Sequence, residues 1–143
     1  MTTLIVDASV VCKWYLPEDH RDLATGLLTE RISLLAPELV FAEVGNVLWK
    51  WSRHGAIDRH GIDRIDRHLS QALQRIVPLS ELFAAAFEIT KIINHPIYDC
   101  FYLALAQREN VPLITADQRL IARLTGTAWA PLVIPLAQWS PLP

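Results

Sequence analysis

The chain alternates short apolar runs with longer stretches whose apolar residues recur every three or four positions. The first run, TLIV over 3–6, is apolar and partly β-branched and predicts a buried strand. Ser9 follows and can cap a helix over 10–16, which Pro17 stops. Residues 19–31 place Leu23, Leu27 and Leu28 on one face and predict a second helix. A short strand is expected at 34–36. Pro37 then opens a helix over 38–53 that ends at Gly55. Another amphipathic helix starts at Asp58 or Asp63 and runs to Gln74. Residues 76–79 predict a third strand, and Ser80 begins a helix through Ile93, broken by Asn94-His95-Pro96. A helix over 97–109, a strand over 112–115, a helix over 117–124 and a strand over 132–134 complete the pattern. The proline-rich tail (Pro135, Pro141, Pro143) is expected to fray or pack as coil.

Short apolar strands between amphipathic helices predict an α/β fold, a mainly parallel sheet with helices on both faces. No linker-like stretch divides the chain, so residues 1–143 read as a single domain. A chain of this length buries roughly 70% of its unfolded surface. The Asp-Arg recurrences in IDRHGIDRIDRH are local bias on one helix. The apolar fraction, 52%, sits above the usual range of about 45–50%. The surplus includes Trp14, Trp49, Trp51, Trp129 and Trp139, a residue type enriched at interfaces, so these divide between core and partner contacts. No apolar run reaches the roughly 18–20 residues of a membrane span. The N-terminus MTTLIVDAS lacks the basic and long apolar regions of a signal peptide. Cys12 and Cys100 each lie in apolar helical surroundings and are expected to be buried free thiols. The chain reads as cytoplasmic, with no membrane partner.

Four carboxylates change the picture. Asp7 in LIVDAS, Glu43 in PELVFAEVGNVLW, Asp99 in PIYDCFYLALA and Asp117 in PLITAD each stand at the edge of an apolar element. A charge there must be paired, desolvated at a cost, or bound to something. Asp7 and Asp117 follow the first and fourth strands, and ligands of open parallel sheets sit beyond the carboxyl ends of strands. Glu43 has Val40 and Val47 as helical neighbours, and Asp99 opens the stripe Asp99, Tyr102, Leu103, Ala106, so both border inward faces. Each acid has a structural alternative. Asp7 can accept bonds from the following loop, Asp99 and Asp117 can cap helices, and Glu43 can meet a buried arginine. Together they point elsewhere. Two carboxylates about 5 Å apart repel by roughly 3 kcal/mol at an effective dielectric of 20. Four need protons or a divalent cation, and a hard cation such as Mg²⁺ or Mn²⁺ prefers oxygen ligands. Such an ion binds phosphate and activates water, the two operations of phosphodiester hydrolysis.

Formal net charge is −2, from 13 Lys and Arg against 15 Asp and Glu. Setting the four acids aside leaves 11 acids against those 13 bases, a surface of +2. From Arg53 to Arg75 there are arginines at 53, 59, 64, 67 and 75 and histidines at 54, 60 and 68, offset by aspartates at 58, 63 and 66. That face could hold phosphates, or be a solvated helix with internal pairs such as Asp63 with Arg67.

VDAS, PELVFAEVGNVLW, YDCFYLALA and LITAD, in this order and spacing, resemble the signature segments of PIN-domain ribonucleases, and most closely the VapC-type toxins of toxin–antitoxin pairs. The resemblance runs from Val6 to about Leu124; each segment alone is weak and the four together are specific. It implies a three-layer α/β/α fold with about five short parallel strands. It also implies endoribonuclease activity dependent on Mg²⁺, with Mn²⁺ able to substitute. By this likeness Asp7, Glu43, Asp99 and Asp117 are the catalytic, metal-holding quartet, with Asp7 and Asp99 holding the first ion most directly. Ser9 and Thr115 match small hydroxyl residues near the quartet, and Asn46 occupies a common position one turn after Glu43. Arg119 stands where some relatives carry a further acid, which leaves one ion better supported than two. The resemblance also implies an RNA substrate, a small antitoxin that wraps the toxin, and a homodimer.

Phosphoryl transfer through an aspartyl nucleophile fits poorly, because a second acid is needed two residues after Asp7 and Ser9 stands there. A receiver-like domain needs adjacent acids near its start and a late lysine, and the chain has no lysine beyond Lys91. The remaining alternative is a catalytically silent PIN-like module that binds RNA or protein.

Overall fold

The computed structural model describes residues 1–55 and 57–141; Pro143 of the expected tail lies outside them. Five strands form one sheet: β1 (Thr2–Val6), β2 (Ile32–Pro37), β3 (Arg75–Val77), β4 (Leu113–Thr115) and β5 (Val133–Pro135). All adjacent pairs are parallel, in the order β3-β2-β1-β4-β5. Successive side chains of a strand point to opposite faces, and this alternation splits the core in two. Leu4, Val6, Leu34, Ala36 and Ile114 face one cluster; Ile5, Leu35 and Leu113 face the other. Helices α1 (Ala8–Val11), α2 (Arg21–Thr25), α3 (Leu39–Ser52) and α4 (Arg59–Ala72) cover the first face. Helices α5 (Leu79–Ile93), α6 (Ile97–Glu109) and α7 (Gln118–Leu124) cover the second. The result is the expected three-layer α/β/α fold.

The strand order places the site. The chain leaves β1 toward β2 on one side and later returns to place β4 on the other. The connections after β1 and β4 therefore run to opposite faces, which opens a crevice at the carboxyl ends of these two strands. Asp7 and Asp117 are the residues that follow them.

Helix α6 is the innermost helix. Cys100 through Ala106 are all buried, on every side of the helix, as for a helix packed between a sheet and a neighbour. α5 supplies that outer neighbour through Leu82, Ala86, Ile89 and Ile93. The first turn of α6, which carries Asp99, emerges from the core, as does its last.

Several local expectations are corrected. The helix expected over 10–16 begins earlier, as α1, and tightens into a 3-10 turn at Cys12–Trp14. The helix expected over 19–31 is only the five residues of α2. The chain turns at Gly26 so that Leu27 enters the core fully, and a Cβ on Gly26 would meet the Trp139 ring at 3.4 Å. The tail is not frayed up to that point: Pro135 ends β5, Leu136 is buried and Trp139 packs on the first core cluster. On α4, Asp58 is the N-cap and accepts from the Gly61 amide. The ion pair on that helix joins Asp63 to Arg59 at 3.4 Å rather than to Arg67. Both cysteines are free and buried, and burial pushes the Cys12 thiol up to about 12, so it stays protonated. Trp14 is core, while Trp49 is 55% exposed. No helix among the described residues is long and apolar enough to cross a membrane.

The packing of α6 sets a stability prediction. Leu103 is fully buried and Ile92 is 66% exposed. Leu103→Ala should lower the unfolding free energy by about 3 kcal/mol in urea titrations, whereas Ile92→Ala should change it by less than about 0.5 kcal/mol.

Candidate active site

The crevice between β1 and β4 opens into a cleft of about 430 Å³ whose lining includes Asp7, Glu43, Asp99 and Asp117. All four acids singled out in the sequence thus reach one place. Ser9 and Asn46 line it too. Thr115 lies fully buried behind it, and Arg119 is exposed and outside its lining.

Asp7 is 4% exposed and is held by the strand ends. Its amide donates to the Ile114 carbonyl at 3.0 Å, extending the β1–β4 ladder by one residue. It takes the N-cap position of α1 with extended backbone, but its side chain caps nothing. Instead Oδ2 accepts from the Ser9 hydroxyl at 2.6 Å and from the Thr115 hydroxyl at 2.8 Å. Those hydroxyls accept in turn, Ser9 from the Ala116 amide and Thr115 from the Asp117 amide, both at 3.0 Å. Each hydroxyl proton therefore points at the same carboxylate oxygen. Ser9 is not the helix cap its position suggested; it braces Asp7. Among the described residues no buried side-chain oxygen lacks a partner, so Oδ1 of Asp7 keeps access to the cleft.

Glu43 projects from the middle of α3 and is half-buried. Among the described residues no arginine pairs with it. Its Oε1 accepts from the hydroxyl of Tyr102, a fully buried residue of α6, at 2.7 Å. Asp99 stands in the first turn of α6 and does not cap it. Its Oδ2 lies 2.6 Å from Nε2 of His95, and that nitrogen carries the proton when Asp99 is ionised. Asp117 does cap: Oδ1 accepts from the amides of Arg119 and Leu120, at 3.0 and 3.2 Å, at the start of α7. Oδ2 is the oxygen left for the cleft.

The electrostatics are those of excess negative charge, several acids against Lys13 in the lining. Burial, opposed by the two hydroxyl bonds and reinforced by Asp99 and Asp117, raises the Asp7 carboxyl to about 6. Burial, with Asp7, Asp99 and Asp117 nearby, raises Glu43 to about 7 against the Tyr102 bond. Burial also raises Asp99, with the His95 bond opposing it. What holds the first two down is hydrogen bonding, not a cation.

Sequence reasoning missed four groups. Tyr102 and His95 orient two of the acids, and Lys13 and Glu18 line the cleft. A buried tyrosine needs a partner for its hydroxyl, and a lone lysine in VVCKWYL needs a use, so both signals were present. His95 was noted only as part of a helix break.

The donor set is all oxygen and carboxylate-rich, which suits a hard cation. Among the described residues no three His, Cys, Asp or Glu side chains close on a single point. A hard cation in such a cleft would take only one or two carboxylates directly and keep waters for the rest of its shell.

Comparison with known proteins agrees with this architecture. The PIN domain profile matches residues 4–126. "Ribonuclease VapC3" of Pyrobaculum aerophilum is 28% identical over 119 residues, covering 82% of this chain and 91% of that protein. "Exonuclease VapC9" of the same organism is 30% identical over 102 residues, covering 68% and 70%. Among solved structures, a toxin–antitoxin complex from Klebsiella pneumoniae superposes with a TM-score of 0.67 at 16% identity, over 93% of this chain and 97% of that one, a likeness of fold. With the profile spanning nearly every element from β1 to α7, the chain belongs to the PIN domain family, with VapC-type proteins among its relatives.

Proposed function

We propose that the chain is a divalent-cation-dependent endoribonuclease and the toxin of a toxin–antitoxin pair. The observation that carries this reading is the convergence of four carboxylates on one cleft, where burial, reinforced by neighbouring acids, raises Asp7, Glu43 and Asp99. The names of the relatives, a ribonuclease and an exonuclease, support a nuclease. Endonucleolytic cleavage and the choice of metal are our reading of the site.

Oδ1 of Asp7 and Asp99 would hold Mg²⁺ or Mn²⁺ most directly, with Glu43 and the free oxygen of Asp117 reaching it through its waters. When bound, the ion neutralises phosphate charge and lowers the pKa of a water. The chain's own groups do the rest. Ser9 and Thr115 lock Asp7 in one rotamer, and His95 does the same for Asp99. Glu43, with a carboxyl near neutrality and one oxygen held by Tyr102, is placed to take a proton from the attacking water. Lys13 in the cleft wall can offset charge on the phosphate, and the exposed Asn46 amide at the cleft can donate to the RNA. Arg119 is exposed beyond the cleft and supplies no acid to it, and one ion is the count we propose.

The solved relative is a toxin–antitoxin complex, which supports a small antitoxin as partner. A homodimer is also part of the proposal. The exposed pair Phe83 and Phe87, stacked at 6.2 Å on α5, offers an apolar face for such a contact.

The proposal fixes three outcomes. Wild type should cleave structured RNA with Mg²⁺ or Mn²⁺, and Asp99→Asn should lose at least about a hundredfold in rate. Cleavage by that variant at the wild-type rate would remove Asp99 from the site. Stability should also follow pH in a defined sense. Asp7 is raised from its ordinary value near 4 to about 6, so between these values the folded state binds more protons than the unfolded one. Unfolding free energy of the metal-free protein should therefore fall as pH rises from about 4 to 7, by on the order of 3 kcal/mol from Asp7. Asp7→Asn should lack that component. Mn²⁺ should raise the melting temperature of wild type more at pH 7.5 than at pH 5, and more than that of Asp7→Asn. Equal shifts in both proteins would count against the quartet as a metal site.

A further inference from the structure

We infer that a pocket between the Cys12–Trp14 turn and α4 holds one unpaired nucleotide of the RNA, next to the bond that is cut. The inference rests on the ribonuclease reading above and gives the Arg53-to-Arg75 stretch a specific part in it.

The pocket encloses about 610 Å³ beside Trp14, Tyr15, Arg21, Asp58, Arg64 and His68. Its floor is aromatic. Trp14 meets Tyr15 and His68 edge to face at 6.2 Å each, and Tyr15 meets His68 at 5.6 Å. Trp14 is locked by its indole N–H, which donates to the Ala24 carbonyl at 2.8 Å. Tyr15 and His68 are joined by a 2.8 Å hydrogen bond between the hydroxyl and Nδ1. Tyr15 is half-buried and His68 exposed, so this braced pair presents π surface at the mouth. Unstacked bases are held on such surfaces.

The rim is cationic. Arg21 and Arg64 form no ion pair among the described residues. The opposing Asp58 spends Oδ1 on the Gly61 amide at 2.7 Å, capping α4. Two guanidiniums therefore face one committed carboxylate. The acid cleft is the reverse, with Asp7, Glu18, Glu43, Asp99 and Asp117 against Lys13. A polyanion approaching that cleft is repelled until a cation is bound, and needs its own anchor close by.

The two cavities share a wall. Cys12 and Lys13 line the acid cleft, and the next two residues, Trp14 and Tyr15, line this pocket. At a 3-10 rise of about 2 Å per residue, Cys12 and Tyr15 are about 6 Å apart along the turn. A nucleotide seated on Tyr15 and His68, with its phosphate on Arg64 and Arg21, is within reach of a neighbouring phosphodiester over the carboxylates.

The test is binding of end-labelled, short single-stranded RNA to the full chain in EDTA, which reads affinity without cleavage. The double variant Arg64→Ala/His68→Ala should bind about tenfold more weakly than wild type, within the range of base–aromatic stacking, and Arg108→Ala, on the opposite layer, should bind as wild type. The slope of log affinity against log salt should become shallower by roughly 0.7–1. An abasic nucleotide walked along the RNA should weaken wild type at one position and leave the double variant unaffected there. With Mn²⁺ present, KM should rise by a similar factor while kcat stays within about twofold. A folded double variant with unchanged affinity and salt slope overturns the inference. So does one that binds RNA normally but no longer holds a partner protein, which would make the pocket a protein site. If wild type cleaves RNA and the double variant behaves identically, only the pocket falls. If wild type neither binds nor cuts RNA, the ribonuclease reading falls with it.

Discussion

One oxygen of Asp7 receives two hydroxyl protons, and much of the site depends on this convergence. Ser9 belongs to α1 and Thr115 ends β4, so Oδ2 of Asp7 ties the first strand, the first helix and the fourth strand together at the crevice. The hydroxyls accept in turn from the amides of Ala116 and Asp117, which places the connection to α7 as well. A carboxylate this buried is costly to ionise, and its raised pKa is the measure of that cost. The arrangement opposes stability at neutral pH and keeps the second oxygen in the cleft, a conflict common at functional sites.

The other acids are held by the same logic from different layers. Asp117 gives one oxygen to α7 and Glu43 gives one to Tyr102. Asp99 depends on a corner. Asn94 ends α5 in the left-handed conformation, Thr90 binds the His95 carbonyl, and Arg123 of α7 donates to the carbonyls of Ile93 and Asn94. The corner sets His95, and His95 sets Asp99. Each carboxylate thus has a support that leaves oxygen capacity unspent, so the cleft keeps its charge while its geometry is fixed.

Charge is distributed with equal economy along a single turn. At Cys12 and Lys13 the wall faces carboxylates; at Trp14 and Tyr15 it faces aromatic rings and guanidiniums. Neither composition nor the net charge of −2 hints at this division, because the signs cancel over the whole chain.

Elements and their order were legible because strand and helix periodicities differ and because proline, glycine and Asn-His-Pro breaks are local signals. TLIV, LIT and the long helices around Glu43 and Asp99 appear within a few residues of their expected bounds. The four acids could be picked out for the same reason: a charge against an apolar run is visible in one dimension. Where the expectation erred, contacts distant in sequence decided. Gly26 ends α2 as the chain turns Leu27 into the core beneath Trp139, more than a hundred positions on. Ser9 turns from a presumed cap to a brace because Asp7 is buried next to Thr115. Sequence by itself determined which residues carry the chemistry and at which strand ends they stand. Only the tertiary structure decided which oxygen stays free on Asp7 and Glu43, since Thr115 and Tyr102 reach them from other elements of the fold, and no local pattern encodes that distance.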